Sequence, residues 1–139
     1  IVYFGEPKPD IVADLYFVGS WTDKGSCDGT VGEYLKQLEG KKLAVFGTAG
    51  YGGSREYYQK LACRVTECVP DTSEVLGCFY CQGKMPIGVR NRYVAMLREH
   101  PEDQKLNASV KNFDEALSHP DEKDFADARQ WAQTMVDAV

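Results

Sequence analysis

Histidine is nearly absent from this sequence: His100 and His119 are the only two. A metal centre built on imidazoles needs more, and His119 lies in "SHPD", which has the composition of a turn. No stretch approaches the roughly 20 apolar residues of a membrane span, so no membrane contact is expected. Positive charge is also in short supply, with 16 Lys and Arg against 21 Asp and Glu and a formal net charge of −5. A nucleic-acid surface needs clustered Lys and Arg to displace counterions, which sets that class aside. No charged segment precedes a long apolar one, so a secretory leader is not expected. The five cysteines are an odd count, which without a leader argues against a disulfide framework. No Ser–His–Asp set, paired carboxylates or metal-ligand cluster offers itself. These exclusions leave a cytoplasmic protein, with residues 1–139 forming one domain of ordinary size.

What is present is a run of short apolar segments rich in β-branched and aromatic residues. They are Ile1–Gly5, Leu15–Gly19, Leu43–Gly47 and Val75–Tyr80. Their near-continuous apolarity predicts strands covered on both faces, as in a parallel sheet. Helical spacing lies between them. Val31, Tyr34, Leu35 and Leu38 form one apolar face, with Asp28 as a candidate N-cap. Tyr57, Tyr58, Leu61, Ala62 and Val65 form a second, entered at Ser54 and stopped by Pro70. A last helix is expected over Glu122–Ala138, with Phe125, Ala128, Ala132, Met135 and Val136 inward. The alternation predicts an α/β fold, a three-layer α/β/α sandwich around a parallel sheet. In such sheets ligands bind beyond the carboxyl ends of the strands.

Three loops lie at those ends. "GSWTDKGSCDG" places Ser20, Trp21 and Thr22 at the first, where an indole among small polar residues offers a flat face or packs on the adjacent helix. "GTAGYGGSREYY" is the second. Its glycines admit a ligand close to backbone N–H groups. Thr48 adds a hydroxyl and Tyr51 an aromatic plane, and the helix from Ser54 directs its positive end the same way. It is neither a dinucleotide fingerprint nor a Walker A loop. "CFYCQGKMP" is the third, with Cys81 and Gln82 at the strand end. Residues three apart in a strand point to opposite faces, so Cys78 is expected in the core and Cys81 at the site edge. Cys63 and Cys68 are expected to pack on a helix face. Two aromatic residues and several backbone donors at one sheet end suit a planar aromatic cofactor.

The stretches "ADLYFVGSWTDKGSCDG", "GKKLAVFGTAGYGGSREYY" and "CQGKMP", continuing to "ALSHPD", resemble the flavodoxin-like proteins over essentially the whole chain. The likeness is greatest to a short bacterial branch, some members of which are named for an association with bilirubin reduction. The resemblance implies a sheet of order 2-1-3-4-5 with FMN at the switch point. It implies that Trp21 and Tyr51 border the flavin ring. Thr48, Ala49, Gly50 and Gly52 would make backbone contacts to its pyrimidine edge, with Ser20, Thr22, Cys81 and Gln82 beside them. It also implies an electron carrier whose partner is a reductase or a flavin or iron–sulfur enzyme, with a homodimer open as well. Two alternatives stand on the same fold: an FMN-dependent NAD(P)H or quinone reductase, and a cofactor-free interaction module.

One departure accompanies the likeness. The family's first strand and its Thr/Ser- and Gly-rich phosphate loop have no counterpart here. "IVYFGEPKPDIVADLYFVGS" aligns instead with the second and third strands. The first strand is then either cut off at the front, replaced by Ile1–Gly5 in a rearranged order, or supplied by another chain.

Overall fold

Three of the four expected strands form, and they run parallel. The computed structural model describes residues 1–139. Its elements, in order, are β1 (Tyr16–Asp23), β2 (Ser26–Cys27), α1 (Gly29–Lys36), β3 (Lys42–Ala49), α2 (Arg55–Thr66), β4 (Glu74–Gln82), α3 (Ile87–Glu99), α4 (Gln104–Ala116) and α5 (Glu122–Asp137). The sheet order is β2-β1-β3-β4. β1 pairs with β3 from Tyr16↔Leu43 to Trp21↔Thr48, and β3 with β4 from Lys42↔Glu74 to Ala49↔Gln82, both in parallel. β2 is a two-residue return that pairs antiparallel with Thr22 and Asp23.

The helix positions follow from the strand order. β1, β3 and β4 step in one direction across the sheet, and right-handed crossovers then place both connecting helices on the same face. Val31, Leu35 and Leu38 around α1 and Leu61 and Val65 of α2 accordingly pack with Tyr16, Val18, Leu43, Val45 and Tyr80 in one cluster. Leu35, Leu43, Val45 and Val65 are fully buried within it. Ser54 caps α2 by accepting from the Tyr57 N–H at 3.2 Å, as its position predicted. Asp28 occupies the N-cap position of α1 but makes no side-chain cap, and its Oδ1 is buried without a partner.

The opposite face is left to α5, giving the third layer. Trp131 lies 5.7 Å from Phe79, 5.8 Å from Phe17 and 6.4 Å from Phe46, ring centre to ring centre. A register shift between Leu43 and Ala44 makes Leu76 an extra residue in β4, which sets Gly77 and Phe79 toward α5 and Cys78 and Tyr80 toward α2. The cover is incomplete: Phe17 and Phe46 each remain 39% exposed. Phe125 and Val136, expected inward, are exposed as well. At 3.6 residues per turn they fall together on one flank of α5, about 100–120° from the middle of its Trp131–Met135 line and turned away from the sheet.

Ile1–Gly5 is not a strand, which corrects that expectation. Ile1, Val2 and Phe4 are among the most exposed large hydrophobic side chains of the chain, and the segment pairs with nothing. It therefore does not take the central slot of a rearranged order. The physical reason lies at β1, which pairs only with β3 along Tyr16–Trp21 and leaves its other edge open. Ile1–Gly5 does not join that edge, so its backbone groups have no ladder to pair with.

The two faces should respond differently to truncation. Leu43→Ala, at 0% exposure, is expected to cost roughly 2–5 kcal/mol. Phe17→Ala, on the half-open face, should cost distinctly less. Urea unfolding of both variants checks the contrast, and equal losses would contradict it.

Candidate functional site

The carboxyl ends of β1, β3 and β4 meet at one edge of the sheet. The ladders bring Trp21 beside Thr48 and Thr48 beside Cys81, so the three loops read from the sequence do converge. Trp21 is 58% exposed and Tyr51 48% exposed. Both are side chains that a hydrophobic core would have taken in, and both stand at the rim. Tyr51 is steadied by its own neighbourhood: its ring lies 6.2 Å from that of Tyr57. The Tyr93 hydroxyl neighbours it and is held above its ordinary pKa, chiefly by hydrogen bonding with Tyr51.

Tyr51 belongs to the Gly50–Gly53 loop. The backbone N–H groups of Gly50, Tyr51 and Gly52 donate to no group of the protein. In a loop this open to solvent such donors are met by water, and they are free to turn to the acceptors of a ligand. Gly53 takes φ +79, the left-handed turn that lets the chain enter α2. A Cβ on Gly50 would fall 2.4 Å from Met85 Sδ, and one on Gly52 would fall 2.5 Å from Gln82, so the loop lies directly on the β4 exit.

The remaining predicted residues divide by what they touch. Ser20 is half-buried beside Gly47. The Thr22 hydroxyl donates to the Thr48 carbonyl at 2.8 Å, tying the first loop to the second. Ala49 is buried, and its carbonyl accepts from the Gly83 N–H at 2.9 Å. The Gln82 amide donates to the Gly50 carbonyl at 3.0 Å and to Asn112 Oδ1 at 3.2 Å. Thr22 and Gln82 are thus builders of the loop rather than free ligand groups. Asn112, from α4, donates to the same Gly50 carbonyl at 2.9 Å. Sequence reading missed it, because an asparagine 62 positions away carries no local sign of the contact.

Cys81 is buried, and burial pushes its thiol up to about 11, with the Asp124 and Asp121 carboxylates adding to the rise. It is a neutral thiol at physiological pH. Cys78 packs toward α2 while Cys81 faces α5, so "CxxC" is split across the sheet as the strand geometry predicted. Cys68 packs against the core, but Cys63 is exposed, since it lies on the outer side of α2.

The start of α5 stands near Cys81. Asp121 and Asp124 form a reciprocal capping box there. His119 Nδ1 lies 2.6 Å from Asp124 Oδ2. The ligand atoms of these three residues lie within 4.8 Å of one another, but the two carboxylates are spent on the helix terminus and the imidazole on Asp124. Hydrogen bonding to Asp124 holds the His119 imidazole above its ordinary 6.5. No helix is long and apolar enough to cross a membrane.

Comparison with known proteins points to one family. The flavodoxin domain description matches residues 9–133. A flavodoxin-like domain-containing protein BilS from Clostridioides difficile (strain CD3) is 34% identical over 123 residues, covering 88% of this chain and 70% of that protein. Its namesake from Clostridium symbiosum (strain WAL-14163) is 35% identical over 141 residues, covering 90% of this chain and 74% of that one.

Two measurements test the site. Asn112→Ala removes one of two donors to the Gly50 carbonyl, and urea unfolding should show a loss of about 0.5–1.5 kcal/mol, the worth of one hydrogen bond. An NMR titration should place His119 above 6.5, and Asp124→Asn should bring it back down. A raised folded pKa means the pair's contribution is full below the ordinary value and is lost as pH rises through the folded one. The stability difference between the chain and the Asp124→Asn variant should therefore shrink with increasing pH.

Proposed function

This chain belongs to the flavodoxin domain family, and from that premise we propose that it provides the flavin-ring side of an FMN-binding electron-transfer protein. The observation that carries the reading is the set of N–H donors at Gly50, Tyr51 and Gly52 without a protein acceptor, at the sheet edge that also bears the exposed Trp21 and Tyr51. A flavin's pyrimidine edge bears carbonyl acceptors, and its fused rings are planar and apolar. Backbone donors and two aromatic side chains are the complementary set. FMN, when bound, supplies the uptake and release of electrons. The protein's residues do the rest. Trp21 and Tyr51 exclude water from the ring faces. The Gly50–Gly52 backbone orients its edge. The loop itself keeps its shape because Gln82 and Asn112 clamp the Gly50 carbonyl.

The surroundings also set a direction for the potential. Apolar flanks and the Asp121 and Asp124 carboxylates at the same end of the sheet disfavour added negative charge, which lowers the potential of a bound flavin. A carrier must pass electrons on, and Trp21 at the rim is where a partner can approach closely. An excess of five negative charges suits a reductase or iron–sulfur enzyme with a basic docking face.

The residues of this chain fit the ring and not the phosphate. The family's first strand, with the Thr/Ser- and Gly-rich phosphate loop that follows it, has no counterpart within residues 1–139. The reading therefore makes a specific claim about affinity. FMN and riboflavin should both lose fluorescence when titrated with the chain, with affinities that differ little. Trp21→Ala should weaken both by roughly 2–12-fold, the worth of an aromatic contact of about 0.5–1.5 kcal/mol. Undiminished fluorescence of both flavins at a large excess of the folded chain would overturn it.

A further inference from the structure

Two cysteines that no flavin chemistry uses meet in a single niche. Cys27 lies on β2, and Cys68 follows the end of α2. Both pack against the main core cluster while staying partly exposed. Their sulfurs converge on Gly32 of α1. A Cβ built there would lie 3.5 Å from Cys27 Sγ and 3.8 Å from Cys68 Sγ, and apart from the residues adjacent in the chain and the backbone of α1 nothing else lies within 4 Å. An alanine would fit at that position. A longer side chain would take the space the two sulfurs share.

The electrostatics agree that the thiols are neighbours. Burial in the first place, and the Cys68 sulfur after it, hold the Cys27 thiol above its ordinary value, against the Ser26 hydroxyl at 4.0 Å. The other cysteines are placed differently. Cys78 and Cys81 face opposite sides of the sheet, and Cys63 stands exposed on α2.

We propose that Cys27 and Cys68 form a reversible intramolecular disulfide, with a low-molecular-weight disulfide as oxidant. The Cys68 thiolate attacks one sulfur of the small disulfide, whose S–S bond breaks and whose other half leaves and takes up a proton. Cys27 loses its proton to water, attacks the Cys68 sulfur of the mixed disulfide and expels the second half as a thiol. Two protein thiols are oxidised to one disulfide, and the small disulfide is reduced to two thiols. The link would fasten β2 to the end of α2. Because β2 pairs with Thr22 and Asp23, it would also fix the hairpin that follows Trp21. The inference does not depend on a flavin.

The test uses the chain equilibrated in mixtures of glutathione and glutathione disulfide, quenched with N-ethylmaleimide and mapped as peptides. The expected result is a Cys27–Cys68 cross-linked peptide, a protein mass lower by two hydrogens, and two fewer alkylated thiols. Dithiothreitol should reverse all three. Gly32→Leu keeps both thiols but wedges the sulfurs apart, and the cross-linked fraction at a fixed redox mixture should fall at least tenfold, while single Cys27→Ser or Cys68→Ser variants should stop at a glutathione adduct. Full alkylation of the wild-type chain throughout, adducts without a link, or a link between other cysteines would each overturn the proposal. All three of these outcomes are read on the wild-type chain, so they decide the matter even if a variant fails to fold.

Discussion

The parallel ladder of β1, β3 and β4 is the constraint on which everything else depends. Three strands running the same way must place their carboxyl ends at one edge, whatever their side chains are. That alone brings Trp21, the Gly50–Gly53 loop and Gln82 together from positions tens of residues apart. The side chains then refine what the ladder gives. Thr22 reaches across to the Thr48 carbonyl, and Gln82 and Asn112 close on the Gly50 carbonyl, so the backbone of the loop is held by its oxygens while its N–H groups stay free.

The same ladder explains why the two faces of the sheet are so unlike. Because the crossovers have one hand and the strands step one way, α1 and α2 share a face and build a dry core there. The other face depends on α5, which reaches it chiefly through Trp131 and Met135. Phe17 and Phe46 remain half-covered under the edge of that helix, and the free side of β1 offers backbone groups without partners. Surface ion pairs such as Arg90–Asp114, which joins α4 to α3, add little to either face.

Much of this was legible in the residues. Continuous apolar runs announced the three parallel strands, and helical spacing announced α1, α2 and α5. The split of Cys78 from Cys81 followed from strand geometry alone. What misled was also physical. "IVYFG" has the composition of a strand, but composition cannot supply a neighbour to pair with, and the segment stays unpaired. Phe125 and Val136 look like core residues, yet the flank of α5 that bears them is turned away from the sheet. Thr22, Gln82 and Cys81 lie at the carboxyl end of the sheet, where Thr22 and Gln82 are bonded within the loops and Cys81 is buried.

The sequence by itself determined the fold class, the family, and the end of the sheet where a ligand would sit. These follow from local periodicity and from glycines whose reason is backbone access. Only the tertiary structure decided which polar groups at that end are free. A hydrogen bond from α4 to the Gly50 carbonyl, or two sulfurs meeting over Gly32, joins residues far apart in the chain. Such contacts leave no periodic trace, because they depend on where whole elements come to rest.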